Sequence, residues 1–101
     1  MIRHIVLFRL DARDDRTRAA HARTLTERIE GLAGVVPGLR RISVDPDIGE
    51  VPSHFDLALV AELDDRQALH GYQRHPAHVE VAEWIRTVAE VRAVVDAELA
   101  D

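Results

Sequence analysis

The chain contains no cysteine and no lysine. The first absence excludes disulfides and thiolate metal sites. The second excludes Schiff-base chemistry on a lysine amine. All 13 basic residues are therefore arginine, set against 18 acidic ones, for a net charge of −5. No basic cluster interrupts this acidity, and nucleic-acid binding is disfavoured because phosphate neutralisation needs a positive face. Long apolar runs are missing too. The longest strongly apolar stretch, Ile5 to Phe8, falls far short of the roughly 20 residues that span a bilayer. The segment Met1 to Leu10 carries His4 and Arg9 and lacks the features of a signal peptide, so a cytoplasmic protein without membrane partners is expected. The only serines are Ser43 and Ser53, and neither occupies a nucleophile elbow. The five glycines are scattered, which leaves no phosphate-binding loop.

What remains reads as one ordinary globular domain over residues 1–101, with 47% hydrophobic and 31% charged residues. Strict alternation predicts a first strand from Ile2 to Leu10, with Ile2, His4, Val6, Phe8 and Leu10 on one face. Asp14 or Asp15 caps a helix that runs to about Ala33, with Ala22, Leu25, Ile29 and Leu32 as its apolar stripe. A strand is predicted from Leu39 to Asp45, then a loop over Asp45–Ser53. The next strand, His54 to Leu63, is apolar on both faces. A chain this short can cover only one sheet face with its own helices, so the second cover is expected to be a partner subunit. Asp64-Asp65 starts a short helix to Tyr72. Pro76 breaks it and opens another to about Glu90, with Val81, Trp84, Ile85 and Val88 inward. The last strand is Val91 to Leu99. The order β-α-β-β-α-β defines an α+β, ferredoxin-like fold with a four-stranded antiparallel sheet.

Tyr72, His75 and His78 crowd the stretch "YQRHPAHVEVAEWI". His78 shares an inward stripe with Ala82 and Ile85, by spacings of four and three. If the faces bearing His4 and His54 also look toward the helices, His4, His54, Tyr72 and His78 line one pocket. Histidine suits acid–base work near neutrality. A tyrosine hydroxyl can orient a carbonyl or hold developing negative charge. Asp56 or Asp96 could then fix an imidazole tautomer. The alternative is structural: His75 as a solvated helix-start residue and His78 as a satisfied, partly buried one. A metal site is disfavoured, because Pro76 disturbs the register of His75 and the fuller His-Glu-x-x-His pattern is absent. Trp84 reads as a core or interface anchor.

The stretches "IRHIVLFRL", "HFDLALVAELDDRQALHGYQRHPAHVEVAEWI" and "VVD" together resemble the stress-responsive α/β-barrel (Dabb) family of the dimeric α/β-barrel superfamily, over essentially the whole chain. The resemblance implies a homodimer that packs two sheets into a barrel, and a small-molecule ligand. In its Tyr-x-x-His-Pro-Ala-His motif the chain is similar to a cofactor-free member, the plant olivetolic acid cyclase. That similarity implies Tyr72 and His78 as catalytic residues, His4, His54 and His75 as substrate-binding residues, and no cofactor or metal. The small wall residues and the Asp45-Pro46-Asp47 loop depart from that pattern. The resemblance leaves three expectations open: a cyclase- or lyase-like enzyme acting on a small carbonyl compound, a non-catalytic ligand-binding or stress-response dimer, and a cofactor-free or haem-linked monooxygenase.

Overall fold

The computed structural model describes residues 1–100. Its elements are β1 (Ile2–Leu10), α1 (Asp15–Glu30), β2 (Leu39–Pro46), β3 (Leu57–Leu63), α2 (Arg66–Arg74), α3 (Pro76–Val88) and β4 (Ala89–Glu98). The strands form one sheet in the order β2-β3-β1-β4, and every neighbouring pair is antiparallel. This is the ferredoxin-like topology expected from the alternation of strand and helix patterns.

The helices cover one sheet face. Ile2, Val6, Phe8 and Leu10 of β1 and Leu57, Leu59, Ala61 and Leu63 of β3 are buried there against Leu25 and Ile29 of α1, Leu69 of α2, and Val81 and Ile85 of α3. Period-two strands meet period-3.6 helices in one core, which is what makes the two-layer arrangement stable. α1 is capped by Asp14, whose carboxylate accepts from the Thr17 N–H at 2.7 Å. That bond holds the Asp14 carboxyl below its usual range. The helix stops at Glu30, three residues before the expected end, because Gly31 turns the chain and Gly34 takes a φ of 77°. The Glu30 carboxylate then accepts from the Val44 N–H at 3.1 Å, which occupies a donor on edge strand β2.

Two strand starts differ from expectation, and long-range bonding explains both. β3 begins at Leu57 rather than His54. The Asp56 carboxylate accepts from the Leu10 N–H at 2.7 Å, and the His54 N–H donates to the Val51 carbonyl at 3.1 Å. A side-chain bond and a turn thus replace the ladder there. β4 begins at Ala89 rather than Val91, because a register shift after Arg9 pairs Leu10 with Ala89.

The face away from the helices is apolar at its centre. The register aligns Ser43, Val60, Ile5 and Val95 across all four strands, and Asp45, Ala58, Leu7 and Ala93 beside them. Leu7 is 37% and Val95 60% exposed in the single chain.

Candidate active site

Pro76 sets the local geometry. It lacks an N–H and occupies the first turn of α3, while His75 before it is extended at φ −61°, ψ 132°. α2 therefore ends at Arg74 and α3 starts afresh at Pro76. Tyr72 lies on the buried stripe of α2 with Leu69, and His78 lies one turn before Val81 and Ala82 on α3. The break brings their rings together, with centroids 4.4 Å apart and planes at 48°. His4, on the helix-facing row of β1, meets Tyr72 edge-on at 5.9 Å.

These three side chains line a cavity of about 180 Å³, completed by Val6, Phe8, Ile29, Leu59, Ala82 and Ile85, with Arg86 and residues 89–92 also lining it. Cavities of about 150 Å³ admit a benzene-sized molecule, so this one accommodates a small organic compound. Among the described residues no group of His, Asp and Glu side chains has the arrangement of a metal site.

The electrostatics assign different chemical states to the three rings. The Tyr72 side chain is fully buried, and no group among the described residues bonds its hydroxyl. Burial pushes its pKa up to about 12, so it remains a protonated donor at neutral pH. His78 is held below the ordinary histidine value, first by desolvation and further by the nearby His4, Arg92 and Arg86; its bond to Gln73 opposes the shift. Its Nδ1 lies 3.2 Å from the Gln73 carbonyl. A carbonyl can only accept, so Nδ1 carries the proton and Nε2 is left as a free base. His4 is 7% exposed and places Nδ1 2.5 Å from Oδ1 of Asp96 on β4. The carboxylate fixes Nδ1–H as the donor and leaves Nε2 without a protein partner. Of the two carboxylates considered from sequence, Asp96 takes this role. Asp56 bonds the Leu10 N–H and lies 3.7 Å from Arg18.

His54 and His75 stand apart from this group. His54 is in the β2–β3 loop, about half exposed, with Nδ1 3.1 Å from Asp47. The helix-facing residues of β3 are Leu57, Leu59, Ala61 and Leu63, all odd-numbered, so even-numbered His54 has no place on the row with His4. His75 caps α3 instead of lining the cavity, with Nδ1 accepting from the Ala77 N–H at 3.1 Å. Sequence reasoning did not single out Arg86 and Arg92. The signal for Arg86 was its position four residues after Ala82, on the stripe that carries His78.

A four-stranded antiparallel sheet with helices on one face and a histidine–tyrosine cavity beneath them defines a ferredoxin-like α+β protein. The stress-responsive A/B barrel domain model matches residues 2–99, and the chain belongs to that family. It is 37% identical over 87 residues to an uncharacterised protein of Streptomyces coelicolor, covering 83% of this chain and 87% of that one. A dimeric ferredoxin-like protein of unknown function from Bacteroides fragilis superposes with a TM-score of 0.87 at 28% identity, covering 97% of this chain and 95% of its own. A second dimeric ferredoxin-like protein of unknown function, from Thermobifida fusca, gives 0.79 at 28% identity, over 97% and 90% of the two chains.

Proposed function

We propose that this protein is a homodimeric, cofactor-free acid–base catalyst acting on a small carbonyl compound. The observation that carries the reading is the convergence of His4, Tyr72 and His78 on one largely apolar cavity, with the Tyr72 hydroxyl buried and unbonded by any protein group. A buried, unpaired hydroxyl costs about 1–3 kcal/mol, and a ligand oxygen that accepts from it recovers that loss. His78 Nε2 removes a proton from the carbon next to the carbonyl. The C–H electron pair moves into the new C=C bond, and the carbonyl π pair moves onto oxygen. Tyr72 donates to the resulting enolate oxygen, and apolar walls strengthen that bond. His78 then returns the proton, or the enolate carbon attacks a second carbonyl in the same molecule, as an aldol cyclisation requires. The His4–Asp96 pair orients the substrate from the β1 side and supplies a second proton carrier. A lowered His78 pKa serves this scheme, because the ring is neutral at pH 7.

The scheme is testable without knowledge of the natural substrate. A base beside a bound ketone exchanges its α-protons for deuterium. Acetophenone in D₂O, followed by proton NMR, is expected to lose its methyl signal faster with the protein than in buffer. His78→Ala is expected to return the rate to background while circular dichroism and oligomeric state are retained. Exchange that persists unchanged in a folded His78→Ala dimer rules out His78 as the base. Acetophenone that binds with no exchange above buffer marks the protein as a ligand binder.

A further inference from the structure

We propose that the cavity takes a small oxo acid, whose carbonyl sits between Tyr72 and His78 and whose carboxylate is held at the rim by Arg86 and Arg92. The inference rests on the acid–base reading above and narrows its substrate class.

The argument begins with the charges along β4. Its helix-facing row reads Arg92, Val94, Asp96 and Glu98, paired across β1 with Phe8, Val6, His4 and Ile2. Both acids on this row already have cationic or ring partners. Asp96 is bonded to His4, and Glu98 to Arg66 at 2.7 Å. Among the described residues Arg92 makes no ion pair. It lines the cavity beside Phe8 together with Arg86, which projects from the last turn of α3 and likewise has no ion pair among the described residues. Glu90 lies on the same lining without bonding either guanidinium, so two positive charges face one negative one there.

The helix C-terminus gives a solvated Arg86 some reason to be where it is. It gives none for Arg92, which sits on a strand. Nor does it account for both cations acting on His78, where each opposes protonation of the ring. Arg92 and Arg86 are both solvent-exposed, and Tyr72 is buried. The cavity is thus polar-anionic in its demand at the rim, apolar along its walls, and hydrogen-bond-donating at Tyr72. A carboxylate, an apolar body and a carbonyl match those three demands in that order. Arginine forks favour a carboxylate over its isosteric amide, because the charged pair makes two parallel bonds.

The test compares 4-oxo-4-phenylbutanoate with its primary amide, which keeps the shape and removes the charge. Affinities come from NMR titration at low salt, with the His78 ring resonances as reporter. The acid is expected to bind about tenfold more tightly than the amide, and its binding to raise the His78 pKa by offsetting the two cations. The preference shrinks as salt is added. In the Arg86→Gln/Arg92→Gln double variant the acid-to-amide ratio falls toward one. In Arg86→Lys/Arg92→Lys, which keeps the charge and loses the fork, part of the preference returns. Equal affinities in the native protein, or a preference that survives the glutamine variant, overturn the arginine assignment while leaving the His78–Tyr72 reading intact. Failure of both ligands to perturb His78 overturns the two together.

Discussion

At the scale of a residue, Tyr72 carries the sharpest conflict between folding and chemistry. It is the only tyrosine in the chain, it is fully buried, and its hydroxyl has no protein partner. A phenylalanine would fill the same space without the unpaired group. Tyr72→Phe is therefore expected to leave stability at pH 7 equal or higher by up to about 1–3 kcal/mol, and to slow α-proton exchange strongly. The alkaline limb gives a second, independent reading. Burial raises the Tyr72 pKa from 10.0 to about 12. The unfolded chain thus ionises first, and the folded state binds more protons between those values. The stability associated with this group is fully present below pH 10 and is lost as pH rises through about 12, a loss on the order of 2–3 kcal/mol. Denaturant melts from pH 8 to pH 11.5 should show that decline in the native protein and a flatter curve in Tyr72→Phe. Matching curves would show that the hydroxyl is reached by solvent.

At the scale of an element, the α2–α3 break decides where the reactive rings point. Pro76 and the extended His75 are readable directly, because a residue before proline avoids the helical region. The inward stripes of α2 and α3 are readable from spacing, and so is the face of β1 that carries His4. What spacing cannot supply is register between distant strands. His4 and Asp96 are 92 positions apart, and nothing local indicates that they stand opposite each other. His54 illustrates the same limit in reverse. The residues of β3 that face the helices are Leu57, Leu59, Ala61 and Leu63, all of odd parity, whereas His54 is even. Parity alone sets it off that row, and the Asp56–Leu10 bond then ends the strand before it. The role of His75 is not legible from sequence, since histidine is not among the preferred N-cap residues. Its bond to the Ala77 N–H gives it a structural task with a distinct signature. His75→Ala is expected to destabilise the fold by about 1 kcal/mol, and His75→Asn, a better cap, to restore it. Because His75 is off the cavity lining, the affinity of a cavity ligand should follow the folded fraction alone. An affinity loss beyond that fraction in His75→Asn would return the residue to the binding site.

At the scale of the whole molecule, a 101-residue chain leaves one sheet face without a cover of its own helices. The molecule measures 40 × 27 × 18 Å, thin along one axis because helices lie on one side of the sheet only. The other side presents Ile5, Val60 and Val95 in one row and Ala58, Leu7 and Ala93 in the next. Ile48, 81% exposed, stands in the adjoining β2–β3 loop. Four strands about 4.8 Å apart and some 25–30 Å long make a face of roughly 500 Å², so two copies meeting here bury on the order of 1,000 Å². That reaches the size of a specific interface, and apolar centres surrounded by Arg3, Arg41 and Glu62 suit self-association over crystal-like contact. The similar proteins from Bacteroides fragilis and Thermobifida fusca are dimeric. A negative charge at the centre of each face, introduced by Leu7→Asp or Val60→Asp, would meet its own copy or near neighbour across a two-fold axis and would be buried without a partner. The native protein is expected to sediment as a dimer, both variants as monomers at the same concentration, and both to unfold at lower denaturant. Arg13→Gln, which also makes the chain one unit more negative but lies in the exposed β1–α1 connection, should do neither. Because His4, Tyr72 and His78 lie on the helix side of the sheet, a monomeric Val60→Asp chain that remains folded should still bind a cavity ligand. A dimeric Val60→Asp protein would show that the second face is closed by some other surface.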